Sequence, residues 1–289
     1  MKLALDTSDL QPTAVTIAVA SGKGGVGKTS VVVNLAIALA RLGNRVAVID
    51  TDFGLGNVDV LLGLAPAWHL GHLLSGEKTL DEITVTLPVG VHIIPAGSGF
   101  RTLTALTAAQ RLRLEGAMAQ ITADHDFVLV DTAPGISDNV IDTLVSAQRA
   151  LLVVSPEPGA VVDAYALVKV LTSADRGKDI GLLVNGAQDA GDAELVFRQL
   201  DLAATRFLQR HLRYYGFVPQ DQAVRESILV QRPVVEYRPN AEASRCFRIL
   251  AMRVSGLTPV GGPGVRLVPP PPSPSPDPSR ASFEGMQCA

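Results

Sequence analysis

The sequence predicts an α/β protein with a doubly wound, mostly parallel sheet and helices on both faces. Three observations carry this expectation. Short β-branched runs alternate with longer helical patterns from residue 15 to residue 256. The runs are apolar almost without interruption, as in strands buried on both sides, rather than alternating as in a half-wetted sheet. A glycine-rich turn joins the first run directly to the first helical pattern, and such strand–loop–helix units gather ligands at the C-terminal ends of their strands. The chain has 289 residues, 47% hydrophobic and 18% charged, which excludes a wholly disordered or fibrous protein.

The strand candidates are Val15–Ala20, Arg45–Ile49, Val91–Pro95, Phe127–Val130, Ala150–Val154, Ile180–Val184 and Tyr215–Val218. Between them lie helix candidates at Thr29–Leu42, Thr107–Thr122, Val161–Thr172, Asp192–His211 and Asn240–Val254, with Gly43 placed to stop the first. Composition changes once. Residues 257–289 hold nine of the 19 prolines, and proline can neither donate a backbone hydrogen bond nor continue a helix. Three segments are therefore expected: a short leader over 1–14, a folded domain over 15–256, and a proline-rich disordered tail over 257–289.

Several classes are excluded. With 25 Lys+Arg against 28 Asp+Glu, a formal charge of −3 argues against a broad basic surface as the main source of affinity. No run of about 18 apolar residues is present to span a membrane. Met1 to Thr13 carries acids and Pro12 rather than a basic start and apolar centre, unlike a signal peptide. Cys246 and Cys288 are too few for a disulfide framework and lack metal-ligand spacing. The expected location is the cytoplasm.

The strongest chemical signal is Gly22-Lys23-Gly24-Gly25-Val26-Gly27-Lys28-Thr29, continued by Ser30. It fits G-x-x-x-x-G-K-[ST] in the required position between strand and helix. Glycines let backbone amides converge on phosphate oxygens, and the helix N-terminus favours negative charge. Lys28 is expected to reach the β- and γ-phosphates, and the Thr29 hydroxyl to ligate Mg²⁺. After the second strand, Asp50 and Asp52 flank Thr51, facing one side if extended, where a carboxylate can hold Mg²⁺ or orient a water. Asp59 or Asp50 can instead cap the next helix, the reading that suits Asp59. Phe127 to Gly135 reads as an apolar strand ending in an acid and a glycine turn, so Asp131 is expected in the Mg²⁺ shell and the Gly135 amide at the γ-phosphate. The guanine-reading motif N-K-x-D is not found at Asn185-Gly186-Ala187-Gln188, which favours ATP.

Lys23 is a cation that an ordinary phosphate loop does not need. With it, the loop resembles the deviant Walker A signature KGGxGK[ST] of the MinD/ParA family, and the resemblance extends over roughly residues 14–256. It implies that Lys23 reaches the partner's nucleotide across a homodimer holding two ATP molecules. It makes Asp52 the switch I aspartate that positions the attacking water, puts Asp50 nearer the metal shell, and sets Asn57 in the switch region. Asn185 becomes an adenine contact, with Pro219 and Asp221 of Gly216–Asp221 on the base side. Lys23, Lys28 and Asp52 are thus the expected catalytic group.

Three segments, Asp52–Gly63, Pro156–Lys169 and Asp192–Arg213 followed by YYGFVPQD, resemble the FlhG/FleN-type flagellar-number branch. In that branch Glu157 and Asp163 lie near the dimer interface, where an acid can pair with Lys23. The implied partners are a flagellar GTPase, basal-body proteins or a flagellar regulator, with peripheral contact at the inner membrane. Two departures stand out: residues 1–14 carry no DQAxxLR-like segment, and the proline-rich tail replaces the branch's amphipathic membrane helix. The nearest amphipathic candidate, Ala243–Val254, reads better as a last core helix with arginines on its wet face. The alternatives are a ParA-like ATPase that partitions DNA and a MinD-like one that positions the division site. An iron–sulfur carrier would need paired cysteines and a tyrosine kinase of this fold a tyrosine-rich tail, and neither is present.

Overall fold

The computed structural model describes residues 14–52, 58–96 and 106–257. Asn57, residues 1–13 of the expected leader and residues 258–289 of the expected tail lie outside the described residues. The chain runs β1 (Val15–Ala20), α1 (Lys28–Arg41), β2 (Val46–Asp50), α2 (Val58–Leu62), α3 (Leu70–Ser75), α4 (Leu80–Ile83), β3 (Val85–Thr86), β4 (His92–Ile94), α5 (Ala108–Asp124) and β5 (Phe127–Asp131). It continues through α6 (Asp138–Ser146), β6 (Arg149–Val154), α7 (Pro158–Ala174), β7 (Asp179–Ala187), α8 (Ala190–Leu208), β8 (Arg213–Pro219), α9 (Gln222–Leu229), α10 (Val234–Tyr237) and α11 (Glu242–Val254).

The eight strands form one sheet in the order β3-β4-β2-β5-β1-β6-β7-β8, parallel throughout except for the β3–β4 pair. From the central β1 the chain first steps towards the β4 edge, and later steps from β5 across to β8. Right-handed crossovers taken in opposite directions place their helices on opposite faces, which makes the sheet doubly wound. Accordingly α1, α10 and α11 pack together, and α6, α7 and α8 form a second group. Both faces are dry: β2 and β5 are buried at every residue, which is why these segments read as uninterrupted apolar runs.

Each expected strand and helix has a counterpart, with ends moved by a few residues. Pro158 supplies the first turn of α7, where its missing amide costs nothing, so the helix begins before Val161. Asp189 caps α8 by accepting from the Asp192 amide at 2.9 Å, and Gln209 in the left-handed region ends it before His211. β7 runs beyond Val184 to Ala187 because its ladder with β8 continues through Asn185. The elements that the sequence did not single out are β3 and the short helices α2, α3, α4, α6, α9 and α10, of four to nine residues. Segments of that length show too little periodicity to be read.

Ala14 is already buried and donates its amide to Thr122 O at 3.1 Å, so the packed domain begins before β1. At the other end, the apolar face of α11 (Ala243, Cys246, Phe247, Leu250, Ala251 and Val254) is buried against α1 and β8, while Arg245 and Arg248 stay exposed. No helix among the described residues is long and apolar enough to cross a membrane.

A histidine pair, His125 buried and His92 half-buried, lies at the start of β5 and β4. His125 donates Nδ1–H to Ile121 O at 2.7 Å, since a carbonyl can only accept, and its Nε2 therefore accepts from His92 Nδ1 at 2.9 Å. Burial above all holds His125 below its ordinary 6.5. The folded state therefore resists protonation that the unfolded chain accepts. The stability this group contributes is complete above pH 6.5 and is lost as pH falls below it. In urea unfolding at pH 7 and pH 5, His125→Gln is expected to lose less stability on acidification than the wild type.

Candidate active site at the phosphate loop

β1 ends in the middle of the sheet, and the chain turns there through Ser21 to Gly27 into α1. The turn requires glycine at specific points. Gly25 and Gly27 take φ of +80° and +85°, a region that side chains disfavour. Gly22 is needed for space: a Cβ there would lie 2.3 Å from the Asp163 carbonyl carbon, because α7 passes directly against the loop. A Cβ on Gly27 would meet Asn185 Nδ2 at 2.3 Å. Gly27 also occupies the N-cap position of α1 without any side-chain cap, so the first amides of a 14-residue helix remain directed at the loop.

Lys28 opens α1 and is buried, and its ammonium is ion-paired with Asp131 at the end of β5. The register brings Asp50 at the end of β2 opposite Asp131. Burial and the neighbouring Asp131 push Asp50 up to about 7, against the pull of the Asp52 and Val58 amides and of Lys28. Burial also raises Asp131, opposed by Lys28 and by a hydrogen bond from Thr29. Asp52 stands just beyond, its amide donating to Asp50 Oδ1 at 2.9 Å and its charge felt by Asp131. Thus Lys28, Thr29, Asp50, Asp52 and Asp131 form one cluster.

Lys23 lies at the loop's outer turn, exposed, with Nζ 2.7 Å from Glu157 Oε2. Glu157 precedes α7 but makes no cap to it, and its carboxylate goes to the lysine instead. That hydrogen bond is the main cause of a raised Lys23 pKa, with Asp163 adding a smaller attraction. Gly135, at φ +97°, donates its amide to Ser21 O at 2.8 Å, so contact with a γ-phosphate would require that bond to be given up. Asn185 at the β7 end donates Nδ2 to Val26 O at 2.7 Å, fastening the loop from behind. Pro219 closes β8 beside Ala187. Both carboxylate oxygens of Asp221 accept amides, from Ala223 at 2.8 Å and Ala243 at 3.1 Å, so this side chain joins α9 to α11. Ser30 is buried, its carbonyl accepting from Asn34 Nδ2.

Three hydroxyls that were not among the expected site residues hold this arrangement. Ser21 Oγ donates to Lys23 O at 3.0 Å, Thr51 Oγ1 to Asp131 O at 2.8 Å, and Thr132 Oγ1 to Val19 O at 3.0 Å. Each follows or precedes a motif residue at a strand end, the only signal that could have singled them out.

A family model described as "ParA: NUBPL iron-transfer P-loop NTPase" matches residues 13–255. The chain belongs to the ParA/MinD family of P-loop NTPases. Among curated relatives of this ParA/MinD protein, antiactivator FleN of Pseudomonas aeruginosa is 42% identical over 238 residues, covering 82% of this chain and 85% of that one. The flagellum site-determining protein YlxH of Helicobacter pylori is 29% identical, covering 78% and 76%. Among solved structures, the septum site-determining protein MinD complexed with Mg-ADP from Pyrococcus horikoshii superposes with a TM-score of 0.68 at 25% identity, covering 84% of this chain and 97% of that one.

The tight approach of loop and α7 yields a prediction. Gly22→Ala is expected to displace the loop and slow ATP hydrolysis by on the order of 10²-fold, as misplacement of a positioning group by about 1 Å does. Steady-state phosphate release measures it.

Proposed function

We propose that the protein is a Mg²⁺-dependent regulatory ATPase that dimerises on ATP and controls flagellar number or placement. The observation that carries the switch is that each key donor is already matched within the chain. Lys28 pairs with Asp131, Lys23 with Glu157, and the Gly135 amide with Ser21 O. Triphosphate binding exchanges these partners. Lys28 passes from Asp131 to phosphate oxygens, and Asp131 with the Thr29 hydroxyl is left to the Mg²⁺ shell. Few all-protein ligands fit Mg²⁺, which prefers one or two carboxylates, phosphates and waters, and Thr29 with Asp131 and Asp50 matches that donor set. The ion supplies charge neutralisation at the transferring phosphoryl group.

Lys23 leaves Glu157 to stabilise phosphate charge on a second protomer, and Asp52 orients the attacking water. Asn185, oriented by its bond to Val26 O, would offer its carbonyl oxygen to the adenine amino group, with Pro219 on the base side. Groups that complete the site only on closure make turnover slow. The flagellar role is supported by the FleN and YlxH relatives, which cover most of the chain. Iron transfer, named in the family model, finds little support in Cys246, whose thiol is buried and pushed up to about 11 and is a poor ligand in that form.

Lys23→Ala is expected to abolish ATP-dependent dimerisation, followed by light scattering, and to slow hydrolysis by on the order of 10³-fold, the scale of a charge supplied in trans. Normal dimerisation would defeat the exchange scheme. Asp52→Ala is expected to keep dimerisation and lose hydrolysis, trapping the ATP-bound form. A pull-down with that variant from native lysate tests the biological role: flagellar basal-body or regulator proteins support it, and a partition complex or chromosomal DNA overturns it.

A further inference from the structure

Isolated apolar side chains on a surface are ordinary. Those at the end of α9 are not isolated. Ile228, Leu229 and Val230 are consecutive and 47%, 84% and 52% exposed, and Val60 on α2 is 59% exposed. Gln231 joins the two segments, donating Nε2 to Val60 O at 2.8 Å and lying against Gly63, where an added Cβ would come within 3.3 Å of it. Gln231 holds φ +50°. For a residue with a Cβ that conformation persists only where surrounding contacts impose it.

The rim of this patch is cationic. Arg225 and Arg232 are exposed. Of the neighbouring acids, Glu226 accepts from Gln222 Nε2 at 2.9 Å and is paired with Arg238 at 3.6 Å, while Asp59 accepts the Val60 amide at 2.8 Å and keeps its charge, so Arg225 and Arg232 leave the rim positive by one charge. The four apolar residues expose on the order of 400 Å², within the range of the largest apolar patch on a typical monomer, which is often a functional one. That is about half of the roughly 800 Å² each globular partner contributes to a stable interface. One face of a single amphipathic helix fits such an area.

We propose that the end of α9 and α2 form a docking surface for a short acidic amphipathic helix of a partner protein. Its apolar face lies on Leu229, Val230 and Val60, and its carboxylates meet Arg225 and Arg232. The surface is connected to the phosphate site, because the Val58 amide that opens α2 is bonded to the buried Asp50 carboxylate. Docking itself stands apart from the ATPase reading. Only its response to nucleotide rests on that reading.

The test uses the full-length protein and a labelled synthetic helix with leucines on one face and glutamates on the other, followed by fluorescence anisotropy without nucleotide. The wild type is expected to bind it, and to bind a lysine-faced counterpart more weakly. Leu229→Glu is expected to weaken binding by about tenfold or more, as central interface residues do, and Arg232→Glu, at the rim, to weaken it less and chiefly at low salt, while ATP hydrolysis and thermal melting stay unchanged. Equal binding by Leu229→Glu, or tighter binding of the lysine-faced helix, overturns the proposal. So does a loss of ATP-dependent self-association in Leu229→Glu, which would make the patch a contact between copies. A failure of the ATPase reading would show in hydrolysis and leave this binding intact.

Discussion

The ion pair between Lys28 and Asp131, both almost wholly buried, is the constraint around which the site is organised. Removing two charges from water is costly, and the attraction between them repays it only while both are present. The pair therefore binds the phosphate loop after β1 to the end of β5, and through the β2–β5 register it sets the environment of Asp50. Asp50 is raised because it shares this buried corner with Asp131 while Lys28 is committed chiefly to the latter. A ligand that offers Lys28 a new anion and Asp131 a new cation can replace the pair without leaving either charge alone. Triphosphate with Mg²⁺ is such a ligand.

The same logic is repeated at the exposed rim with less at stake. Lys23 and Glu157 are both open to solvent, where an ion pair contributes little to stability. The Lys23–Glu157 contact is thus better suited to being exchanged than to holding the fold. The loop's rigidity comes instead from neutral contacts: Asn185 behind it, the α7 backbone against Gly22, and the Ser21 hydroxyl beneath it.

Much of the fold was legible because parallel strands buried on both faces are apolar along their whole length, and the connecting helices are long enough to show their period. The short α2 and α9 were not legible, yet they carry the exposed Val60 and Leu229, and α2 opens on the amide bonded to Asp50. Their residues gave no periodic signal, and the exposure of Leu229 could not be told from the burial of Leu250 by residue type. Asp221 shows another limit. The family resemblance sets its segment on the base side, but that helix N-termini recruit its carboxylate, with both oxygens accepting amides, is visible only in the structure.

What the sequence determined by itself is local chemistry: a glycine loop of the kind that cradles phosphate, a lysine and threonine at the start of a helix, and acids at strand ends. These follow from neighbours in the chain, where spacing dictates geometry. What only the tertiary structure decided is who faces whom. Lys28 meets Asp131 across 103 residues and Lys23 meets Glu157 across 134, and Gly22 is a glycine because α7 passes over it. Those meetings depend on β1 lying between β5 and β6, a strand order set by the packing of both sheet faces at once and by no single stretch of sequence.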